Sequence, residues 1–180
     1  MIILASKSPR RQELLKYITK DFTVKTAEVD ETLPEGIEPE EAVKYLSKIK
    51  AAPFENVKDT VIGADTIVVI NGKILGKPAD SSDAESMLRL LSGKTHSVFT
   101  GVTVIKNGEY HSFSCETKVT FFELTDSDIK RYIETGEPLD KAGAYGVQGY
   151  GSLLVEKIDG DYFNVVGLPV SKLNRLLSAI

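Results

Sequence analysis

Apolar runs alternate along this chain with segments whose apolar residues recur at helical spacing. The runs that predict strands cover residues 2–5, 22–26, 60–70, 73–75, 98–106 and 109–123. The segments that predict helices cover residues 9–18, 39–52, 82–92, 125–136 and the stretch from 169 to the end. Because helices and strands alternate, the pattern favours an α/β fold, a β-sheet with flanking helices.

Caps and turn dipeptides mark the borders of these elements. Ser8 has the position of a helix N-cap and Pro9 that of the first helical residue. Ser82 and Glu85 have the spacing of a capping box. Three hairpins are predicted at Asn71-Gly72, Asn107-Gly108 and Asp159-Gly160. Since hairpins join antiparallel strands, we expect a mixed sheet rather than an all-parallel one.

The composition limits the classes of protein to which the chain can belong. Its 180 residues contain no linker and no repeat, so a single domain over residues 1–180 is expected. A net charge of −4 argues against a general nucleic-acid or membrane-surface partner. The single cysteine, Cys115, excludes an internal disulfide. With no leader peptide and no run long enough to span a bilayer, the expected location is cytoplasmic.

Two adjacent arginines stand in the first turn of the first predicted helix. The helix dipole makes that end positive, so Arg10 and Arg11 each cost about 0.3–1 kcal/mol there unless an anion is present. Paired guanidinium groups beside a serine-rich turn therefore predict a phosphate site. The alternative is that both arginines are solvated surface residues.

Asp65 interrupts a strand that is otherwise apolar on both sides. A carboxylate inside a sheet needs a cation, several hydrogen-bond donors or a raised pKa. The functional interpretation is a general base or a metal ligand. The structural alternative is an aspartate that pairs with a nearby lysine, or that binds backbone N–H groups at a bulge beside Gly63.

Further candidates lie in loops and at element borders. Glu31 belongs to an acidic turn, residues 28–31, whose carboxylates suit a hard divalent cation bound to phosphate. Lysines 50, 77 and 94 stand at element boundaries, where each alone is more simply a surface residue; together with Arg10 and Arg11 they could neutralise a triphosphate if the fold brings them together. Gln148 lies in a glycine-rich segment, and its amide can both donate to and accept from a base edge. His96, His111 and Cys115 are expected to be structural.

Neither a dinucleotide-binding signature nor a P-loop signature is present. A set of other motifs occurs over nearly the whole chain: Ser6-Lys-Ser-Pro-Arg-Arg11, the turn at 28–31, Gly63-Ala-Asp-Thr66, Lys77-Pro78, Leu91-Ser-Gly-Lys-Thr-His96, Asp140-Lys-Ala-Gly-Ala-Tyr-Gly-Val-Gln-Gly149 and Asn164-Val-Val-Gly-Leu-Pro169. Together and in this order, these motifs resemble the Maf family of nucleoside triphosphate pyrophosphatases.

This resemblance implies a fold and a reaction. The fold is an elongated mixed β-sheet with flanking helices, of the inosine-triphosphatase-like type, with a substrate cleft across the sheet. The reaction is hydrolysis of a nucleoside triphosphate between its α- and β-phosphates, which yields the monophosphate and pyrophosphate. The cofactor implied is a divalent cation, Mg²⁺, Mn²⁺ or Co²⁺.

The resemblance also assigns residues to roles. Asp65 matches the family's proton acceptor, and Asp65 with Glu31 forms the expected metal site. Arg11, Thr66 and Gln148 match positions associated with substrate choice, and their identities look like the branch that acts on dTTP and UTP. The other polar positions of the expected substrate site are Ser6, Arg10, Glu31, Lys50 and Lys77.

Two other functions stay open at this stage. One is a non-catalytic nucleotide-binding regulator, since the family is linked to septum formation and cell-division arrest. The other is a purine-directed pyrophosphatase of the same family that acts on 7-methyl-GTP. Intact Asp65 and an intact acidic turn argue against the regulator. A homodimer is left open.

Overall fold

The computed structural model describes residues 1–180. The strands are β1 (Ile2–Leu4), β2 (Phe22–Val24), β3 (Thr60–Ile70), β4 (Lys73–Leu75), β5 (Thr95–Lys106), β6 (Glu109–Phe121) and β7 (Val155–Asp159). The α-helices are α1 (Pro9–Leu15), α2 (Pro39–Ala51), α3 (Ser81–Leu91), α4 (Asp126–Glu134), α5 (Tyr162–Val166) and α6 (Val170–Ala179). Short 3₁₀ turns cover Ala52–Phe54, Glu137–Asp140, Ala142–Ala144 and Gly149–Leu154.

The seven strands form one mixed sheet, as the hairpin signals predicted. Its order is β2-β1-β3-β5-β6-β7, and β4 pairs with β3 off this path. Strand β1 is parallel to both β2 and β3, whereas β3–β4 and β6–β7 are antiparallel. None of the helices is both long enough and apolar enough to cross a lipid bilayer.

The chain divides into two compact units. The first comprises Met1–Thr66, Phe99–Cys115 and Phe163–Ile180, and the second comprises Ile67–Val98 and Glu116–Tyr162. The first unit has a core cluster in which residues of β1, β3 and β5 and the residue just after β1 pack against the end of α2, namely Ile3, Ala5, Ala51, Val61 and Ile105. The single domain predicted over residues 1–180 stays a prediction.

Two glycines let α2 approach the sheet within the first unit. A Cβ on Gly63 of β3 would lie 2.2 Å from the carbonyl oxygen of Ser47, and one on Gly101 of β5 would lie 2.1 Å from that of Val43. The Ser47 hydroxyl also bonds Thr103 Oγ1 at 2.7 Å. These close contacts place the last turn of α2, which carries Lys50, beside the middle of β3.

Local sequence signals predict some borders of helices and strands correctly and others wrongly. Asn71-Gly72 and Asn107-Gly108 have positive φ at both residues, as type I′ hairpin turns require. The predicted capping box at Ser82 is wrong: Asp80 caps α3, because its Oδ1 accepts from the N–H of Asp83 at 2.8 Å. Asp83 Oδ2 in turn accepts from the N–H of Ala79, four residues earlier, so side-chain and backbone groups also bond in both directions here, and the cap lies two residues before the predicted one.

The third predicted hairpin does not form. β7 ends at Asp159, pairs with β6, and is followed by α5 rather than by another strand. Gly160 has φ of +127°, and a Cβ there would lie 3.0 Å from Thr117 Oγ1. The Asp-Gly pair therefore turns the chain away from the sheet at a point where its backbone lies close to Thr117 of β6.

An aromatic cluster in the second unit surrounds a buried histidine. His96 is 2% exposed, and its ring contacts those of Phe121 and Tyr145 edge-on, at centroid distances of 5.1 and 5.3 Å. Its Nε2 shares a 2.6 Å hydrogen bond with Tyr145 Oη. Burial lowers the pKa of His96 to about 4, since the apolar surroundings disfavour the imidazolium.

The depressed pKa of His96 predicts acid sensitivity of the fold. The unfolded histidine takes up a proton near pH 6.5 and the folded one only near pH 4, so lowering the pH through that window favours unfolding. The full loss is about 3 kcal/mol. In denaturant titrations between pH 7 and pH 4, His96→Phe should show a weaker pH dependence than the unsubstituted chain. His111→Gln is the control, and an unchanged slope in His96→Phe would contradict the prediction.

Candidate active site

The first turn of α1 is built as the sequence predicts. The hydroxyl of Ser8 accepts from the N–H of Arg11 at 3.4 Å, and Pro9 is the first helical residue. This cap places Arg10 and Arg11 side by side in the first turn. The two guanidinium groups nevertheless have different surroundings.

The Arg11 guanidinium is held by hydrogen bonds from all three of its nitrogens. Nε donates to the carbonyl oxygen of Gly167 at 2.8 Å, Nη1 to Ser6 Oγ at 3.2 Å and Nη2 to Thr66 Oγ1 at 3.0 Å. Burial lowers the pKa of Arg11, and the charge of Asp65 opposes that effect. Arg11 therefore connects α1, the start of the chain, the middle of β3 and the segment after α5.

A line of hydroxyl groups extends this network into β5. Thr100 Oγ1 donates to the carbonyl oxygen of Asn164 at 3.0 Å and lies 2.9 Å from Thr66 Oγ1. Because the single hydroxyl proton of Thr100 is already committed, Thr66 is the donor between the two threonines. Thr66 thus accepts from Arg11 and donates to Thr100, which fixes its side chain. Sequence reasoning missed Thr100, since nothing distinguishes it from other strand threonines.

Arg10 retains the character predicted for both arginines. Its side chain is half-buried and forms no hydrogen bond or ion pair with the chain. The charge of Arg10 contributes to the lowered pKa of Arg11. The expectation that both arginines are unsatisfied cations at a helix end is therefore corrected, because internal hydrogen bonds hold Arg11 and leave Arg10 available.

This difference predicts opposite behaviour for two neighbouring substitutions. Arg11→Ala should lower the free energy of unfolding by about 1–3 kcal/mol, because the carbonyl of Gly167 and the hydroxyl of Thr66 lose their donor. Arg10→Ala should change stability by less than about 0.5 kcal/mol. Denaturant unfolding without ligand measures both. Equal stability of the two variants would show that the Arg11 network contributes nothing.

Asp65 lies in an ion-paired group with Lys50 and Glu31. Lys50 Nζ donates to Asp65 Oδ1 and lies 3.4 Å from Glu31 Oε1. The side chains of Lys50 and Asp65 are 20% and 13% exposed, so solvent reaches both. The lysine pairing that the structural interpretation of Asp65 anticipated is thus present. It leaves a partly accessible carboxylate within one residue of the Arg11–Thr66 network.

The carboxylates of this group could hold a divalent cation only together with other ligands. No group of three histidine, cysteine, aspartate or glutamate side chains is positioned to hold a metal ion. Asp65 and Glu31 are nevertheless brought together by one ammonium group. Mg²⁺ commonly takes one or two carboxylates and fills its remaining positions with water and substrate phosphate oxygens. The two carboxylates therefore suit a metal that binds together with a phosphorylated substrate.

Lys77 and Gln148, the other two candidates, lie in the second unit. Both are exposed: Lys77 follows β4, and Gln148 precedes the 3₁₀ turn at Gly149–Leu154. Their positions relative to Asp65 stay predictions. Lys94 donates to the carbonyl of Leu90 at 2.9 Å, so it serves the end of α3 as an ordinary helix-terminal lysine.

Comparison with known proteins identifies the lineage of the chain. The sequence model of the family described as Maf-like protein matches residues 1–180. The chain belongs to the Maf family. A relative named dTTP/UTP pyrophosphatase from Bacillus pumilus (strain SAFR-032) is 53% identical over 98% of this chain and 94% of its own length. A Bacillus velezensis (strain DSM 23117 / BGSC 10A6 / LMG 26770 / FZB42) protein of the same name is 49% identical over the same shares.

Solved structures resemble this member of the Maf family in fold. The Ham1 protein of Staphylococcus aureus matches with a TM-score of 0.54 at 16% identity, covering 99% of this chain and 98% of its own. The HAM1 protein of Coxiella burnetii matches with a TM-score of 0.53 at 13% identity and the same coverage. These likenesses and the seven-stranded mixed sheet confirm the predicted fold class. The substrate cleft across the sheet stays a prediction.

Proposed function

We propose that this protein hydrolyses dTTP and UTP to the nucleoside monophosphate and pyrophosphate. The relatives that carry the name dTTP/UTP pyrophosphatase align over nearly the whole chain at about half identity. The observation that carries the proposal is the adjacency of Asp65, paired with Lys50, to Thr66, held by Arg11. A carboxylate that can accept a proton thus lies beside a rigid set of cationic and hydroxyl groups.

In the proposed reaction, the Asp65 carboxylate removes a proton from a water molecule. The oxygen of that water bonds to the α-phosphorus, the bond from the α-phosphorus to the bridging oxygen breaks, and its electron pair leaves with pyrophosphate. The proton stays on Asp65 until solvent removes it. Lys50 orients the carboxylate through its hydrogen bond to Oδ1, so the base is positioned before substrate binds.

Cationic groups support the charge that accumulates on the phosphates. A bound Mg²⁺, Mn²⁺ or Co²⁺ would supply Lewis-acid neutralisation of phosphate charge, held by Asp65 and Glu31. Arg10 is the guanidinium free to bind phosphate oxygens, and Lys77, which is exposed, is the second cation assigned to that role. Ser6 and Arg11 act less directly, since their mutual hydrogen bond keeps Thr66 in place.

Base selection is assigned to Gln148 and Thr66. The Gln148 amide can donate to O4 and accept from N3–H of uracil or thymine, a pattern that cytosine reverses. Thr66 is small and held rigidly by Arg11 and Thr100, so it limits the space beside the base without occupying it. A cytoplasmic location and a homodimer stay predictions.

A pyrophosphate-release assay over the canonical and several methylated nucleoside triphosphates tests this proposal. We expect dTTP and UTP to be hydrolysed best in the presence of Mg²⁺, Mn²⁺ or Co²⁺, and activity to vanish with a chelator and return on adding the cation. GTP or 7-methyl-GTP as the best substrate would assign the chain to the purine-directed branch. Tight triphosphate binding without turnover under every cation would instead indicate the non-catalytic regulator.

A further inference from the structure

Residues 146–151, here called the Gln148 loop, run into the start of the 3₁₀ turn at Gly149–Leu154 and are held by one carboxylate. Glu137 Oε2 accepts from the N–H of Tyr150 at 3.1 Å, and Oε1 accepts from the N–H of Gly151 at 3.1 Å. Oε1 also accepts from the hydroxyl of Tyr132 at 3.0 Å. That hydroxyl oxygen in turn accepts from the N–H of Gly146 at 3.0 Å. Both ends of the loop are therefore held on Glu137, one directly and one through Tyr132.

The glycines of the loop are required by this arrangement. Gly149 has φ of +63°, and a Cβ there would lie 2.8 Å from Glu137 Oε2. A Cβ on Gly151 would lie 1.8 Å from the carbonyl oxygen of Gly146. The backbone therefore folds back on itself around the carboxylate, and Gln148, between the two anchored ends, is exposed.

Glu137 is itself anchored. Its N–H donates to Thr135 Oγ1 at 3.2 Å, and its carbonyl oxygen accepts from Lys141 Nζ at 2.9 Å. Burial raises the pKa of Tyr132, so its hydroxyl stays a donor to Glu137 at any pH at which the enzyme is assayed. The Glu137 carboxylate is therefore already in position to accept from the N–H groups of the loop.

We propose that Glu137 is a positioning residue for base selection. It touches no substrate in this scheme. Its carboxylate fixes the backbone on both sides of Gln148, which sets the direction in which the Gln148 amide points. The inference rests on the proposed function, in which Gln148 reads the base.

The chemistry of the anchor explains why a carboxylate is needed. Glu137 uses two acceptor oxygens for two N–H groups and one O–H group. Glutamine offers a single acceptor oxygen, and its NH₂ group faces a backbone donor, so Glu137→Gln should restore only part of the effect of Glu137. Alanine removes the anchor altogether.

The test is a double-mutant cycle that measures kcat and KM for UTP and CTP. Glu137→Ala should lower the UTP:CTP ratio of kcat/KM by roughly tenfold, the worth of a good hydrogen bond at the base, mainly through a higher KM for UTP. Tyr132→Phe, which releases only the Gly146 end, should give a smaller loss, and Glu137→Gln an intermediate one. Glu134→Ala, an exposed glutamate three residues earlier, is the matched control. Thermal unfolding of each variant identifies any that fail to fold.

The cycle separates this inference from the proposed function. If Glu137 acts through Gln148, Glu137→Ala should leave the UTP:CTP ratio unchanged once Gln148→Ala is already present. The inference is overturned if Gln148→Ala lowers the ratio while folded Glu137→Ala and Tyr132→Phe retain it. It is also overturned if the two alanine substitutions lower the ratio independently. A ratio unaffected by Gln148→Ala itself would instead remove Gln148 from base selection, and the role of Glu137 with it.

Discussion

Asp65→Asn is expected to lower kcat on dTTP and UTP by at least about 100-fold, the scale of losing a general base. The amide keeps the shape of the side chain but cannot accept the proton of the attacking water. Lys50 still finds a partner in Glu31, 3.4 Å away, so no cation is left without a counter-charge. The substitution should therefore reduce turnover while the chain stays folded.

The turnover of the Asn variant distinguishes the two interpretations of Asp65, because the ion pair with Lys50 is lost in either case. If the residue serves only to pair with Lys50, Asp65→Asn should keep its kcat and change only the denaturant midpoint. If it is the base, kcat falls whatever the change in the midpoint. Asp59→Asn, one residue before β3 and 3.5 Å from the terminal ammonium, is the matched control for a lost carboxylate ion pair. Near-normal turnover of Asp65→Asn would remove Asp65 from the mechanism.

Gln148→Ala is expected to reduce discrimination between UTP and CTP by roughly tenfold to a hundredfold. A mismatched base edge leaves a buried polar group unpaired, which costs about 1–3 kcal/mol, and that difference is what the glutamine supplies. Hydrolysis of the best substrate should fall less than the selectivity does, since the phosphates and the Asp65 group are not altered. The measurement is kcat/KM for dTTP, UTP, CTP and GTP.

Leu153→Ala provides the control for a change near the Gln148 loop, because that side chain is 77% exposed. It should retain the preference of the unsubstituted enzyme. A Gln148→Ala enzyme that prefers dTTP and UTP as strongly as before would show that another residue reads the base. The residue that distinguishes pyrimidine from purine triphosphates would then have to lie elsewhere in the chain.

Elements governed by neighbouring residues were predictable from sequence. Both Asn-Gly turns formed as expected, because only residues that tolerate positive φ fit a type I′ hairpin. Thr125 and Asp128 form the reciprocal cap of α4, a pairing three residues apart. Where two local solutions compete, sequence alone could not choose. Asp80 and Ser82 are both good caps, and in the structure α3 begins after Asp80.

The candidate site also contains features that the sequence could predict and others that it could not. Asp65 was identifiable because a charge in an apolar strand is costly and so demands a reason. That Lys50 supplies its counter-charge was not identifiable, because it depends on how α2 lies against β3 at Gly63. Gly167, which accepts from Arg11, lies 156 residues further along the chain.

The sequence by itself therefore determined the class of fold, the family and the residues whose side chains could take part in binding or catalysis, since these follow from periodicity, local caps and motif order. Only the tertiary structure decided which of those residues are already satisfied. Arg10 and Arg11 are neighbours of identical chemistry, yet one guanidinium is bound on three nitrogens and the other on none. The cause is that a hydrogen bond depends on the position of both partners, and the partners of Arg11 come from distant parts of the chain.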